Sequence, residues 1–162
     1  MHSFNPDFEL ENDNNAFGWA SKPADEFISF RTFPTPSQHT ENGKRSGRVL
    51  SVKAQDIVVI SEPVTLCPGK TYILTSWNQQ ANLLAQCSVK YSVGPKDVYT
   101  ASPQQIWSKR SEFFTAGTSV EDVSVNVTLT AKCTGSGGAA VGTDEAGYMI
   151  VEVDDISLVQ DS

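Results

Sequence analysis

From Val123 to Cys133 the apolar residues Val123, Val125, Val127, Leu129, Ala131 and Cys133 alternate with polar ones. The other phase carries Asp122, Ser124, Asn126, Thr128, Thr130 and Lys132. A helix repeats its apolar positions every three or four residues, so a strict period of two excludes it. The pattern fits an antiparallel strand with one face on a core and one in water. A second run behaves the same way: Cys87, Val89, Tyr91 and Val93 face one side, Ser88, Lys90 and Ser92 the other. β-Branched residues and Gly/Pro/Asn clusters predict further strands over residues 27–33, 48–60, 71–77, 106–115 and 148–159. The last has apolar residues in both phases (Ile150, Val151, Val153, Ile156, Leu158) and reads as a central strand covered on both sides. Only residues 79–86 suggest a turn or two of helix, and the Gly- and Ala-rich stretch 134–147 reads as a loop. About seven or eight strands in 162 residues predict one all-β domain over residues 1–162, with its core at about 5–159. The expected architecture is a two-sheet antiparallel β-sandwich or jelly roll.

Two cysteines fall on apolar strand faces. This favours a Cys87–Cys133 disulfide with Cys67 left over, a closed loop of about 45 residues worth roughly 4 kcal/mol in the chain-entropy model. Three reduced cysteines packed as small hydrophobes are the alternative. The cysteines form no CxxC pair, so zinc and thioredoxin chemistry have no support. Asn126-Val127-Thr128 is a glycosylation triplet with Asn126 on the polar face.

Charge narrows the partners. The chain carries 19 acidic and 12 basic residues, a formal charge of -7. Such a surface repels phosphate backbones and anionic membranes, so no nucleic-acid partner is expected. No apolar run approaches the roughly 18 residues of a membrane span. Met1-His2-Ser3 runs into a strand-like segment with no leader pattern, leaving a cytosolic chain or one whose leader has been removed.

The order of short motifs adds a resemblance. Asn5-Pro6-Asp7-Phe8-Glu9, Gly18-Trp19, Ser46-Gly47, Leu66-Cys67-Pro68-Gly69-Lys70-Thr71-Tyr72, Trp107, Phe113 or Phe114, and Val153-Asp154-Asp155-Ile156-Ser157-Leu158 follow one another along nearly the whole chain. Together they resemble the galactose-binding domain-like jelly rolls, in particular carbohydrate-binding modules of the family 4/9 type in secreted fungal proteins. The resemblance implies non-catalytic recognition of a cell-wall or extracellular polysaccharide or oligosaccharide by a secreted module. It further implies a monomeric module within a larger protein, and it carries over no sugar specificity. It also implies a structural calcium where the terminal strands meet, with Glu9 as the early glutamate and Asp154 or Asp155 as the late aspartate. Strand period sends the two aspartates to opposite faces, which favours Asp154. Ordinary strand-end polar groups are the alternative.

A sugar binder needs aromatic platforms beside hydrogen-bonding side chains. Trp77, Asn78 and Gln79 supply that mixture at a strand end, and Tyr99 adds a ring. Trp77 is out of phase with Tyr72 and Leu74 and is therefore the expected exposed platform. Trp19, Tyr91 and Trp107 read as core. Catalytic residues are not expected: His2 and His39 have no orienting group or nucleophile motif near them. Three carboxylate pairs, Asp25-Glu26, Glu121-Asp122 and Glu152/Asp154, keep a small jelly-roll polysaccharide lyase or hydrolase as one alternative. A structural or protein-interaction sandwich that has no sugar site is another. Lys44, Arg45 and Arg48 form a basic cluster suited to a uronic acid or phosphate, or simply to a solvated loop.

Overall fold

A computed structural model describes residues 11–12, 15–16, 19–22, 28–32, 45–51, 57–61, 63–80, 85–104, 106–135 and 149–161. The early strands are β1 (Glu11–Asn12), β2 (Asn15–Ala16), β3 (Trp19–Lys22), β4 (Ile28–Thr32), β5 (Arg45–Ser51), β6 (Ile57–Ser61) and β7 (Val64–Thr65). The longer ones follow: β8 (Thr71–Gln80), β9 (Ala85–Val93), β10 (Lys96–Ala101), β11 (Ser108–Thr115), then the short helix α1 (Val120–Val123). β12 (Ser124–Val125), β13 (Val127–Gly135) and β14 (Met149–Gln160) complete the order.

Two five-stranded antiparallel sheets form a β-sandwich of jelly-roll type. One, sheet I, has the order β10-β9-β13-β6-β3, and the other, sheet II, has the order β11-β8-β14-β5-β4. The alternation of the sequence places the core. Val89, Tyr91, Val127, Leu129 and Ala131 of sheet I are fully or almost fully buried, as are Leu74, Val151, Val153 and Ile156 of sheet II. Cys87 and Cys133 are direct cross-strand partners and are disulfide-bonded, with Cα atoms 4.1 Å apart. Cys67 is free and exposed.

Several expectations change. The predicted strand over 48–60 is two strands, β5 and β6, in different sheets. Gln79 and Gln80 continue β8, and Ala85 and Gln86 open β9, so the described part of 79–86 is strand rather than helix. The alternating run begins at Ser124, because Val120–Val123 turn as a helix and the Asp122 carboxylate accepts hydrogen bonds from the Ser119 N–H and hydroxyl. Arg45 and Arg48 lie in β5 and not in a loop, while Lys44 is outside the described residues.

Along its first half β14 is covered on both sides, as expected: Val151, Glu152, Val153 and Asp154 are all fully buried. β14 is central, between β8 and β5, yet its register shifts between Asp154 and Ser157, where Asp155 has φ 45°. This left-handed conformation is one that Asp tolerates better than most residues. The extra residue changes the parity of the strand. Val151 and Val153 before it and Ile156 and Leu158 after it thereby all face the core. The outward positions of the first half are Glu152 and Asp154.

Candidate functional site

The outward face of sheet II is built row by row from strand register, since directly paired residues share a face. In β8 the inward residues are Tyr72, Leu74, Ser76, Asn78 and Gln80, and the outward ones Ile73, Thr75, Trp77 and Gln79. Pairing with β11 and β14 sets four outward rows. They are Phe113–Ile73–Val159, Ser111–Thr75–Ser157, Lys109–Trp77–Asp154, and Gln79–Glu152 with Arg48 of β5 opposite Glu152.

The rows differ in chemistry. The first is apolar and open: Phe113 is 64% exposed and Val159 56%. The second is small and polar, with the Thr75 and Ser111 hydroxyls 2.8 Å apart. The third sets a half-buried Trp77 between exposed Lys109 and fully buried Asp154. In the last, Gln79 Nε2 donates to Glu152 Oε1 at 2.9 Å, and Glu152 is fully buried as well. Phe113 and Trp77 sit on adjacent strands, and the four-residue step from Ile73 to Trp77 separates the two rows by about 13 Å.

The expected ligand residues therefore divide. Trp77 and Gln79 share this face, but Asn78 and Tyr99 do not. Asn78 is 3% exposed because it points inward between Trp77 and Gln79. Tyr99 is turned inward by a register shift between Asp97 and Tyr99 that aligns it with Tyr91. Its ring packs 4.6 Å from that of Tyr91, its hydroxyl is 2.5 Å from Ser76 Oγ, and the Arg110 guanidinium lies 4.8 Å from its centroid. Burial pushes the Tyr99 phenol up to about 12, opposed by the Ser76 hydrogen bond and the Arg110 charge. Burial, and then Tyr99, push Tyr91 higher still. Tyr99 is thus a core residue, not a platform. Trp107 is half-buried ahead of β11, and the side chain of Trp19 is outside the described residues.

Phe113, Lys109, Thr75 and Ser111 join the face through pairing, which sequence reasoning did not assign. Phe113 appeared only as a motif position, and the phase of residues 108–115 would have set it apart from Phe114. The predicted glycan acceptor Asn126 is half-buried, and its Nδ2 donates to the Ser61 carbonyl at 2.7 Å. For calcium, Glu9 lies outside the described residues. Among those described, no group of three or more His, Cys, Asp or Glu could hold a metal ion. Calcium takes about six to eight oxygens, backbone carbonyls included, so the pairing of Glu9 with Asp154 stays an expectation.

No protein-family model matches the chain, and no curated protein matches it in sequence. Solved structures do resemble it. The carbohydrate-binding module TmCBM61, in complex with β-1,4-galactotriose, superposes with TM-score 0.62 at 14% identity, over 97% of this chain and 96% of that one. A cyclase from Fischerella sp. TAU gives 0.61 at 11% identity, over 97% and 94%. The N-terminal cellulose-binding domain of a Cellulomonas fimi β-1,4-glucanase gives 0.50 at 15%, over 93% of each chain. At these identities the likeness establishes the jelly-roll fold. That fold serves binding modules and an enzyme alike, so function has to be argued from the site.

Proposed function

We propose that this chain is a non-catalytic carbohydrate-binding module, of the family 4/9 kind, that lays a cell-wall or extracellular glycan along the outward face of sheet II. The observation that supports this most is the row Lys109–Trp77–Asp154 beside the Gln79–Glu152 pair. An indole offers a flat apolar surface to the CH face of a sugar, while the Lys109 ammonium and the Gln79 amide beside it suit the hydroxyl rim. Phe113, on the same face about 13 Å along the strands, adds a second ring for a chain longer than one sugar. The disulfide agrees with a secreted, extracellular location. No helix among the described residues is long and apolar enough to cross a membrane. The module would be a monomeric part of a larger secreted protein.

The test is a pull-down against a panel of insoluble polysaccharides, in calcium and in EDTA, repeated with Trp77→Ala. The expected result is retention on one polymer that Trp77→Ala abolishes. Retention lost in EDTA would add a cation to the site. No retention on any polymer overturns the reading in favour of a structural or protein-interaction domain.

A second reading rests on Glu152 and Asp154, two fully buried carboxylates on one strand face, next to Trp77. Paired carboxylates carry glycoside hydrolysis, and a small polysaccharide lyase or hydrolase would have to uncover these two to reach its substrate. Shortening of the retained polymer, lost in Glu152→Gln, would select it. An intact polymer keeps the non-catalytic reading.

A further inference from the structure

A pocket of about 170 Å³ lies away from the outward face of sheet II, at the corner where β10 and β11, the edge strands of the two sheets, approach. Leu66, Val93 and Phe114, each under one-tenth exposed, form its floor, and Pro95 adds an apolar wall. Lys96 and Asp122 line its sides with opposite charges. A cavity of about 150 Å³ suffices for one six-membered ring, so the volume sets the size of the occupant.

The walls are held by backbone rather than by mobile side chains. The Leu66 N–H donates to the Val123 carbonyl at 2.7 Å, the Gly69 N–H to Ala116 at 3.1 Å, and the Gly94 N–H to Asn126 at 2.9 Å. Gly94 has φ +57°, and a Cβ there would stand 2.6 Å from Val125 Cγ1, so only glycine makes this turn. A Cβ at Gly117 would overlap the Asp122 carboxylate. That carboxylate is fixed by the Ser119 N–H and hydroxyl, and Lys96 Nζ is fixed by donating to the Thr115 carbonyl at 3.1 Å. The site is therefore preformed, with an apolar floor, one cationic donor and one anionic acceptor.

We propose that this pocket binds a single pyranose ring, free or as the terminal residue of a glycan. A pyranose presents apolar CH groups to such a floor, and its hydroxyls both accept from an ammonium and donate to a carboxylate. The choice of ring rests on the glycan-binding reading, while the pocket itself does not. It would capture chain ends, where the outward face of sheet II takes the length of a chain.

The experiment titrates ¹⁵N-labelled protein with methyl β-galactopyranoside, methyl β-glucopyranoside and the methyl β-glycoside of N-acetylglucosamine. Each is taken to about 100 mM, well above the roughly millimolar Kd expected of so small a ligand. The expected result is a saturating shift at the Lys96 and Gly117 amides with at least one glycoside. Lys96→Met keeps the exposed aliphatic stem and removes the ammonium, and should weaken that binding at least fivefold. Trp77→Ala should leave it unchanged. No saturating shift at those amides, or a loss below fivefold in Lys96→Met, overturns the proposal. Polymer retention that depends on Trp77 with a silent pocket removes this site and leaves the outward-face reading. A responding pocket without polymer retention does the reverse.

Discussion

The two outward faces of this sandwich cover the same core and are made of different material. On sheet I the outward residues of β9, β10 and β13 include Ser88, Lys90, Ser92, Thr100, Thr128, Thr130 and Lys132, those of β6 are Val58 and Ile60, and Lys90 Nζ lies 3.7 Å from the exposed carboxylate of Asp97. Apart from the two aliphatic residues of β6, these are short hydroxyls and charges, with no aromatic ring among them. On sheet II the outward rows carry Trp77 and Phe113, with Glu152 and Asp154 fully buried beside them. On the proposed reading, recognition belongs to sheet II.

The contrast can be broken by substitution, and the largest effect should come from the inward side. Replacing both Cys87 and Cys133 by alanine releases a loop with a sequence separation of 46 and should cost roughly 4 kcal/mol in denaturant unfolding. Both cysteines face inward on sheet I, so the folded fraction should still bind polymer as before. Lost retention in that fraction would tie recognition to sheet I.

Alkaline pH probes whether Tyr99 belongs inside. A phenol raised from 10 to about 12 by burial favours the protonated folded state. That contribution is fully present below pH 10 and is lost as pH climbs towards about 12, amounting to about 3 kcal/mol. Denaturant unfolding measured at stepped pH should show the decline, with tyrosinate absorbance rising as structure is lost. Ionisation of Tyr99 near pH 10 in a folded protein would return it to the surface.

Trp77→Ala should reduce polymer affinity at least tenfold, about 1.4 kcal/mol, as read from binding isotherms on the retained polysaccharide. The smallest effect belongs to Lys90→Ala on the opposite sheet. Its ion pair is exposed, so stability should change by less than about 0.5 kcal/mol and retention not at all. An equal loss of retention in the two variants would erase the difference between the faces.

Much of this was legible beforehand because a strand declares its faces locally. The phases of residues 87–93 and 124–133 placed Tyr91, Leu129 and both disulfide cysteines inside, and the phase of β8 put Trp77 on the opposite side from Leu74. The misreadings sit where one residue breaks the period. The irregularity before Tyr99 turned an expected platform into core, and the one at Asp155 put Ile156 and Leu158 on the same inner face as Val151 and Val153. A bulge adds a residue without a composition signal strong enough to read, since Val98 and Asp155 are ordinary strand and turn residues.

By itself the sequence determined the all-β class, the inward and outward sets of the regular strands, and the cysteines able to meet. These follow from the two-residue period, which neighbouring atoms along the chain enforce. Tertiary structure alone decided that Trp77 has Lys109 on one side and Asp154 on the other, and that Gln79 meets Glu152. Those neighbours come from strands 32 and more than 70 residues away. Their register is set by how the sheets pair and shift as whole bodies, a non-local balance of hydrogen bonding and core packing that no window of the sequence contains.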